Sequence, residues 1–498
     1  MTSRRRSGIA ALLVVIMSSP VTAQSWRLRF DGAVQRVDFR GVSADSAARS
    51  AVGIGVGGGY VTADGFATDC SGNGYCYFFR PGAIRRGAPA SAGATLTMWG
   101  LGVTGLSVHL NTRLLTDLTG DRLWPGTSPT FRLMEGYAEF LRGGLTARAG
   151  RMLEQGRLAS TGMSGLDGVR ATYRFDGPGL ELTGYGGWGF ARGTILTVTS
   201  PAVNPLLDYQ PAQRQIVAGA SAGVHRSHLD AEAEYRREVD PVTDYFVSER
   251  VAFSAQLRPD HRFRIVTGAD YDIAQGRWGS ADAMLGYTGS KMWATVGAKH
   301  YRPFFDLWTV WGVFSPVAYN GVNGSLTLRP HERVQVSGRG EWFRYDDAEV
   351  SAPLVRLEDR GWRWDVDLTV TPQDRWTVQA GGHGEFLPGA SSKGIDGRIT
   401  WRAWQDLDLA VQGGSLVRPL EFRFQDAGVK WAGVTADLRL GDAWRLAFSA
   451  DRYWESRDRP DAASFDWNQW RLSARMSVTL RSSADRWLPA ARPTGGAL

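Results

Sequence analysis

From residue 361 the chain alternates. Trp362, Trp364, Val366, Leu368 and Val370 interleave with Arg363, Asp365, Asp367 and Thr369, and after Pro372 the pattern resumes at Trp376, Val378 and Ala380. Side chains of a strand point to opposite faces with period two, so this stretch predicts a hairpin with one apolar and one charged face. The scheme recurs. Val251, Phe253, Ala255 and Leu257 lead through "RPDH" to Phe263 and Ile265, and Leu326 and Leu328 lead through "RPHER" to Val334 and Val336. Ile395, Ile399 and Trp401 turn at "AWQD" into Leu407, Leu409 and Val411. Trp470, Leu472, Ala474, Met476, Val478 and Leu480 line one face of a last strand.

Tight turns alternate with longer polar connections at 152–167, 190–212, 345–361, 414–427 and 454–466. That alternation predicts an antiparallel meander. About twenty strand starts fall between residues 105 and 480, and the stretches 93–110 and 26–62 supply one more each. No linker divides residues 105–480, as a string of separate sandwiches would require. The expected fold is all-β: a closed meander barrel of about 20–22 strands.

The apolar face meets a core in a soluble protein and lipid in a transmembrane barrel. The first residues decide between them. Three arginines, the apolar run Ile9–Met17 and Val21-Thr22-Ala23 have the layout of an export signal cleaved after Ala23. The apolar run is too short to span a bilayer. An exported alternating meander predicts an outer-membrane barrel, apolar outside and charged inside. Aromatics at strand ends, such as Trp342, Trp401, Trp444 and Trp470, suit the girdles of such a barrel. The expected organisation is a signal at 1–23, a β-rich segment at 24–100, the barrel at 101–480 and a polar tail at 481–498. The 24–100 segment has three possible arrangements: a periplasmic subdomain, a plug, or a first hairpin with a large outer loop.

The net charge of +7 falls to +4 once the three leader arginines are removed, which does not argue for a nucleic-acid partner. The two cysteines, Cys70 and Cys76, bracket a Gly-containing loop. In an oxidising compartment they are expected to pair, and their spacing is neither that of a zinc site nor of a redox CxxC. No C-x-x-C-H occurs, so no haem is attached, and no cofactor is expected. The seven histidines are scattered, and no H-E-x-x-H, phosphate loop or G-x-S-x-G is present. The chain does not read as an enzyme.

The leader, the meander and the alternation resemble Gram-negative outer-membrane porins of the large single-chain type. Within them Glu135–Glu139, Ala149-Gly150-Arg151, Asp167-Gly168-Val169 and Tyr185-Gly186 are similar to a stretch of alginate-export and related porins. The local likeness covers about 60 residues and the general one about 375. The chain departs from those porins in lacking a terminal aromatic residue, which their assembly machinery reads. The resemblance implies outer-membrane lipid, the barrel-assembly machinery and small polar solutes or ions as partners.

Mid-depth charges are costly against lipid, so alternation assigns Arg333, Arg339, Glu341, Arg363, Asp365, Asp367, Asp396, Arg398, Arg402, Asp406, Asp408, Arg445, Asp451, Arg471 and Arg475 to the lumen. Such rings of charge set ion preference. The expected function is passive diffusion of ions or small polar solutes. Two alternatives stand beside it: a sheath for a periplasmic multihaem cytochrome, and a barrel for polymer or protein export or surface display. The segment 302–317 is a candidate inward loop.

Overall fold

The computed structural model describes residues 25–482, less 56–57, 71–73, 120–129, 156–162, 176, 178, 194–214, 242–245, 303–317, 347–359, 388–389, 418–425 and 459–466. The export signal, nearly all of the candidate inward loop 302–317 and the tail beyond Ser482 lie outside the described residues.

The chain opens with β1 (Ser25–Ala48), followed by the short strands β2 (Val52–Ile54), β3 (Tyr60–Thr62) and β4 (Thr68–Asp69), then β5 (Tyr75–Gly87) and β6 (Pro89–Trp99). Next come β7 (Leu106–Asp117), β8 (Thr130–Arg142), β9 (Leu145–Gln155), β10 (Met163–Phe175), β11 (Leu180–Gly193) and β12 (Gln215–His225). Then follow β13 (Leu229–Val239), β14 (Phe246–Leu257), β15 (Phe263–Asp272), β16 (Arg277–Thr288), β17 (Met292–Tyr301), β18 (Tyr319–His331) and β19 (Val334–Tyr345). The series ends with β20 (Arg360–Gln373), β21 (Trp376–Leu387), β22 (Ala390–Trp404), β23 (Leu407–Val417), β24 (Asp426–Leu440), β25 (Trp444–Asp458) and β26 (Trp467–Arg481).

From β6 onward each strand pairs antiparallel with the next, and the sheet closes through β1. Residues 27–36 of β1 pair with β26, with Arg27 opposite Arg481, while residues 25–34 pair with β6 on the other side. The wall is a closed barrel of 22 strands, β1 and β6–β26. An even count brings the first and last strands to the same end, where Trp26 N donates to Ser482 Oγ at 3.2 Å.

β1, at 24 residues, is far longer than its wall neighbours β6 (11) and β26 (15). Its second half leaves the wall and pairs with β5, Ala47 opposite Cys76, as a ribbon at the long-loop end. The Cys70–Cys76 disulfide closes the loop at the foot of β5. Phe66 and Phe78 stack beneath it at 5.9 Å, giving this outer connection a small core of its own.

The strands run further into the polar connections than their apolar residues alone indicate. The 454–466 connection shrinks to 459–466 because Glu455 pairs as a wall residue opposite Val429. An inward face that is polar along its whole length gives no hydrophobic signal at the strand ends.

Glycines make room for aromatics on neighbouring strands. A Cβ on Gly219 would lie 2.3 Å from the ring of Tyr185, and one on Gly384 would lie 2.5 Å from Trp364 Nε1. These are the Gly-rich stretches that a sheet normally disfavours. Here each missing side chain is replaced by a ring laid over the backbone.

Candidate functional site: the charged lumen

Strand register sorts the side chains into two faces. On one, contacts skip a strand. Tyr185 Oη on β11 donates to Glu234 Oε1 on β13 at 2.6 Å, and Lys299 Nζ on β17 lies 2.7 Å from Glu341 Oε1 on β19. Arg398 Nη2 on β22 reaches Thr435 Oγ1 on β24 at 3.0 Å, and Gln412 Nε2 on β23 reaches Asp451 Oδ1 on β25 at 2.9 Å. Side chains converge only on the concave side of a closed wall, so this face is the lumen. The opposite face carries exposed Phe30, Leu110, Val169, Phe253, Val366, Ile399, Phe448 and Leu472.

The lumen-facing positions of one strand pair with those of the next, so register follows the charges around the wall. Arg339 stands opposite Asp365, Glu341 opposite Arg363, and Gly381 opposite both Asp367 and Asp396. Arg398 faces Gln412, Arg402 faces Asp408, Asp451 faces Arg471, and Arg475 lies between Ala447 and Ala33. Arg445 reaches Asp437 at 2.7 Å with two donors. Thirteen of the fifteen charges assigned by alternation thus share the concave face. Arg333 and Asp406 sit in the tight turns instead. Arg333 Nη1 donates to the Pro372 carbonyl at 2.9 Å.

The densest cluster lies on β17–β21. Glu341 bridges two cations: Lys299 on one carboxylate oxygen, and Arg363 Nη2 at 2.6 Å on the other. Arg363 also lies 3.8 Å from Glu385, and Arg339 lies 3.3 Å from Asp365. Lys299 stands 5.2 Å over the Tyr319 ring. On β22–β26 a second network runs Arg398–Gln412–Asp451, beside Arg471 stacked over Tyr453 at 5.0 Å. Gln469 links it to Glu455 at 3.1 Å.

Alternation in the first half of the barrel carries further lumen charges. On β7–β9, His109 stacks on Tyr137 at 4.8 Å, and Arg148 holds Glu139 at 2.6 Å. On β14–β16, Arg250 pairs with Asp270 and with Asp272 at 3.1 Å, and Asp270 is wholly buried. Their signal was the same period-two pattern, since Asp270 and Asp272 interleave with Ala269 and Tyr271. Acids and bases are mixed throughout, and among the described residues no group of His, Cys, Asp and Glu is arranged to hold a metal ion.

Some charged residues lie on the outward face, among them Arg151 and Asp167. Arg151 donates to both oxygens of Asp167, at 2.7 and 2.6 Å, and to the Leu133 carbonyl at 3.0 Å. Arg148 and Gly150 face inward, which turns Arg151 outward, and Asp167 shares the face of exposed Val169 and Tyr173. The register shift between β7 and β8 at Asn111/Thr112 falls beside Leu133, whose carbonyl Arg151 engages. Two bidentate bonds and a carbonyl satisfy most of the guanidinium, which lets it sit outside the lumen.

No protein-family model matches the chain, and no curated protein matches it. Solved structures do. A mutant ferric enterobactin receptor of Pseudomonas aeruginosa in complex with enterobactin superposes with a TM-score of 0.52 at 10% identity, over 91% of this chain and 81% of that one. A second mutant of the same receptor gives 0.51 at 10% identity, over 91% and 80%. Pseudomonas aeruginosa OccD3 (OpdP) covers 92% of both chains at 9% identity, with a TM-score of 0.39. The first two likenesses show the fold alone, the large closed β-barrel of these receptors.

Proposed function

We propose that the barrel is a passive channel for ions or small polar solutes, and that it is not an enzyme. The observation that carries this reading is the inward cluster Lys299–Glu341–Arg363–Glu385 with Arg339–Asp365. Four strands, β17, β19, β20 and β21, present fixed charges of both signs to one interior face. Only Glu341 among them is close to buried, at 9% exposure, while Arg339 and Arg363 keep 74% and 45% of their side chains open. Charges braced by partners yet open to solvent suit a wet path, because they attract or repel passing ions without collapsing onto one another. Transverse acid and base columns also orient dipolar solutes.

In this reading residues 1–23 direct export and are removed, and the barrel-assembly machinery inserts the wall into the membrane. The short turns, such as 374–375 and 405–406, face the periplasm, and the long connections face outward. The test is single-channel conductance of the purified, folded chain in a planar bilayer, with a salt gradient to read ion preference. Stable current steps whose preference moves when Arg339 is neutralised support the channel. A folded chain that conducts nothing overturns it and favours a plugged barrel, a cytochrome sheath or a scaffold.

A further inference from the structure

The ribbon that β1 and β5 raise at the long-loop end has two unlike faces. Cys76, Phe78 and Arg80 lie on one, and the chain covers it from within. Phe66 stacks on Phe78, and Arg80 stands 5.6 Å over the Phe66 ring while reaching Asp45 at 2.8 Å and Asp64 at 3.3 Å. Period two puts Tyr75, Tyr77 and Phe79 on the other face, where they are 56%, 62% and 52% exposed. Three large rings in a row, more than half open, form the kind of contiguous apolar patch that marks an interaction surface.

Strand register says where this face looks. Ala48 stands opposite Tyr75, Ser46 opposite Tyr77 and Ala44 opposite Phe79, so a ridge of rings on β5 runs beside a trough of small residues on β1. Along β1 those three share the parity of Phe30, Gly32 and Val34, which face away from the lumen. The bare face of the ribbon therefore continues the outer face of the wall. Beneath it that wall is flat, because Phe30 pairs with Ala94, Gly32 with Ala92 and Val34 with Ala90. A Cβ on Gly32 would meet nothing within 4 Å, whereas Gly219 and Gly384 are overlaid by a neighbouring ring. The dent at Gly32 is not filled from within the chain. Between the flat strip and the rings, Asp38 and Arg86 stand opposite one another 3.7 Å apart, a pair without net charge.

We infer that the outward face of the β1–β5–β6 hairpin is the docking surface for a second copy of this chain. Copies inserted in one membrane share its outside, so the two-fold axis relating them runs along the membrane normal and keeps each residue at its own height. Turning one hairpin to face another about that axis sets β5 of each against β1 of the other. Tyr75 of one copy then meets the trough at Ala48 of the other, Tyr77 meets it at Ser46, and Phe79 at Ala44. The face is thus complementary to itself under the symmetry the membrane imposes. Below, the dents at Gly32 let the two walls approach closely, as small residues do between membrane-spanning elements. Size decides how far the contact runs. An aromatic side chain presents about 150–250 Å², so three rings more than half open offer about 250–425 Å² per copy. Two such faces stay short of the about 1,000 Å² that a specific interface buries, so the contact includes the flat strip of wall. The interface depends on a wall that spans a membrane and not on whether the lumen conducts.

The test is native mass spectrometry of the full chain released from lipid nanodiscs that were assembled in excess over protein. The expected result is a species of twice the chain's mass. The Tyr75→Ser/Tyr77→Ser/Phe79→Ser variant is expected to raise its dissociation constant by at least about tenfold, because buried aromatics dominate such contacts. The Gly32→Trp/Ala92→Trp variant, which fills the flat strip and leaves the ribbon intact, is expected to weaken the pair as well. A wild-type chain that is monomeric in the disc overturns the inference, and so does a dimer that both variants preserve. A monomeric wild type that carries polysaccharide lost from the serine variant also overturns it and gives the rings to a sugar chain instead. The wild-type mass needs no variant, so it decides the matter even where a variant fails to fold. Heat-dependent gel mobility separates folded variants from unfolded ones.

Discussion

Replacing Glu341 with Gln removes one charge and little volume. Its two carboxylate oxygens hold Lys299 at 2.7 Å and Arg363 at 2.6 Å, so the variant leaves two cations on the lumen face without their shared anion. Breaking a fully buried pair costs about 3–5 kcal/mol, but Arg363 is nearly half open to water, so the cost here falls to about 1–2 kcal/mol. The barrel should still fold. The larger consequence is electrical. One added unit of positive charge about 6 Å from an ion's path contributes about 0.7 kcal/mol in unscreened water. At about 0.1 M salt, with a Debye length near 10 Å, roughly 0.4 kcal/mol remains. Anion and cation move in opposite directions, so the anion-to-cation permeability ratio rises by about two- to fourfold, the lower figure allowing for ions that pass at greater distance. The assay is the reversal potential of single channels under a potassium chloride gradient. The shift towards anions should shrink in about 1 M salt, where the Debye length is near 3 Å. A folded, conducting variant whose reversal potential stays put at low salt would refute the assignment of this cluster to the ion path.

Three further outcomes follow from the wall and its connections. Arg151→Leu strands the Asp167 carboxylate on the outer face and should lower folding into bilayers by about 2–4 kcal/mol, while Arg151→Leu/Asp167→Leu should recover most of it; equal losses in single and double variants would show that the pair is not a unit. Cys70→Ser with Cys76→Ser opens a short loop closure worth about 2 kcal/mol in the outer connection alone, so protease sensitivity near residues 60–80 should rise while the heat-dependent gel mobility of the barrel is unchanged. At the β14–β15 turn, Asp260 accepts hydrogen bonds from the backbone N–H of Arg262 at 2.6 Å and of Phe263 at 2.8 Å, which hold its carboxyl below the usual 3.8. A lowered folded value means the turn's stabilisation is complete above the unfolded value and is lost as pH falls through the folded one, so hydrogen exchange at Arg262 and Phe263 should quicken only below about pH 3.8; quickening already between neutral pH and 5 would contradict it.

Much of the wall was legible because period two is a strong signal when one face meets lipid. The alternation read from Trp362 lies in a strand that begins at Arg360, and the last strand, read from Trp470 to Leu480, runs Trp467–Arg481. The turns announced themselves through Gly441, whose φ of 61° suits the tight link between β24 and β25, and through the proline of "RPDH". Less legible was everything that depends on which strand lies beyond the next one. Lys299 and Glu341 are 42 positions apart in sequence and are joined only because β17 and β19 flank β18 on a concave wall. Arg333 and Asp406 fitted the alternation by parity alone, but the strand ended before reaching them. The second half of β1 also read as ordinary strand, and nothing in its sequence says that its partner changes from β26 and β6 to β5.

Alternation gives a side chain's face, while its depth and company come from register, and two cases on the outer wall show why that matters. Arg151–Asp167 and Arg344–Arg360 are both outward charges, and register gives each different company. The first is a neutral, bidentate pair bonded also to a backbone carbonyl, and it needs nothing from outside. It lies where Gly150, Gly168 and Gly187 pair in one row, so closely that a Cβ on Gly150 would come within 2.3 Å of the Gly136 carbonyl oxygen. The backbones there approach so tightly that the wall's own geometry fixes the pair. The second sets two guanidiniums opposite one another beyond an aromatic row, above a groove floored by alanine. A charge on the outer face of such a barrel is therefore best judged by the register partner it meets. Where that partner is opposite in sign it braces the wall.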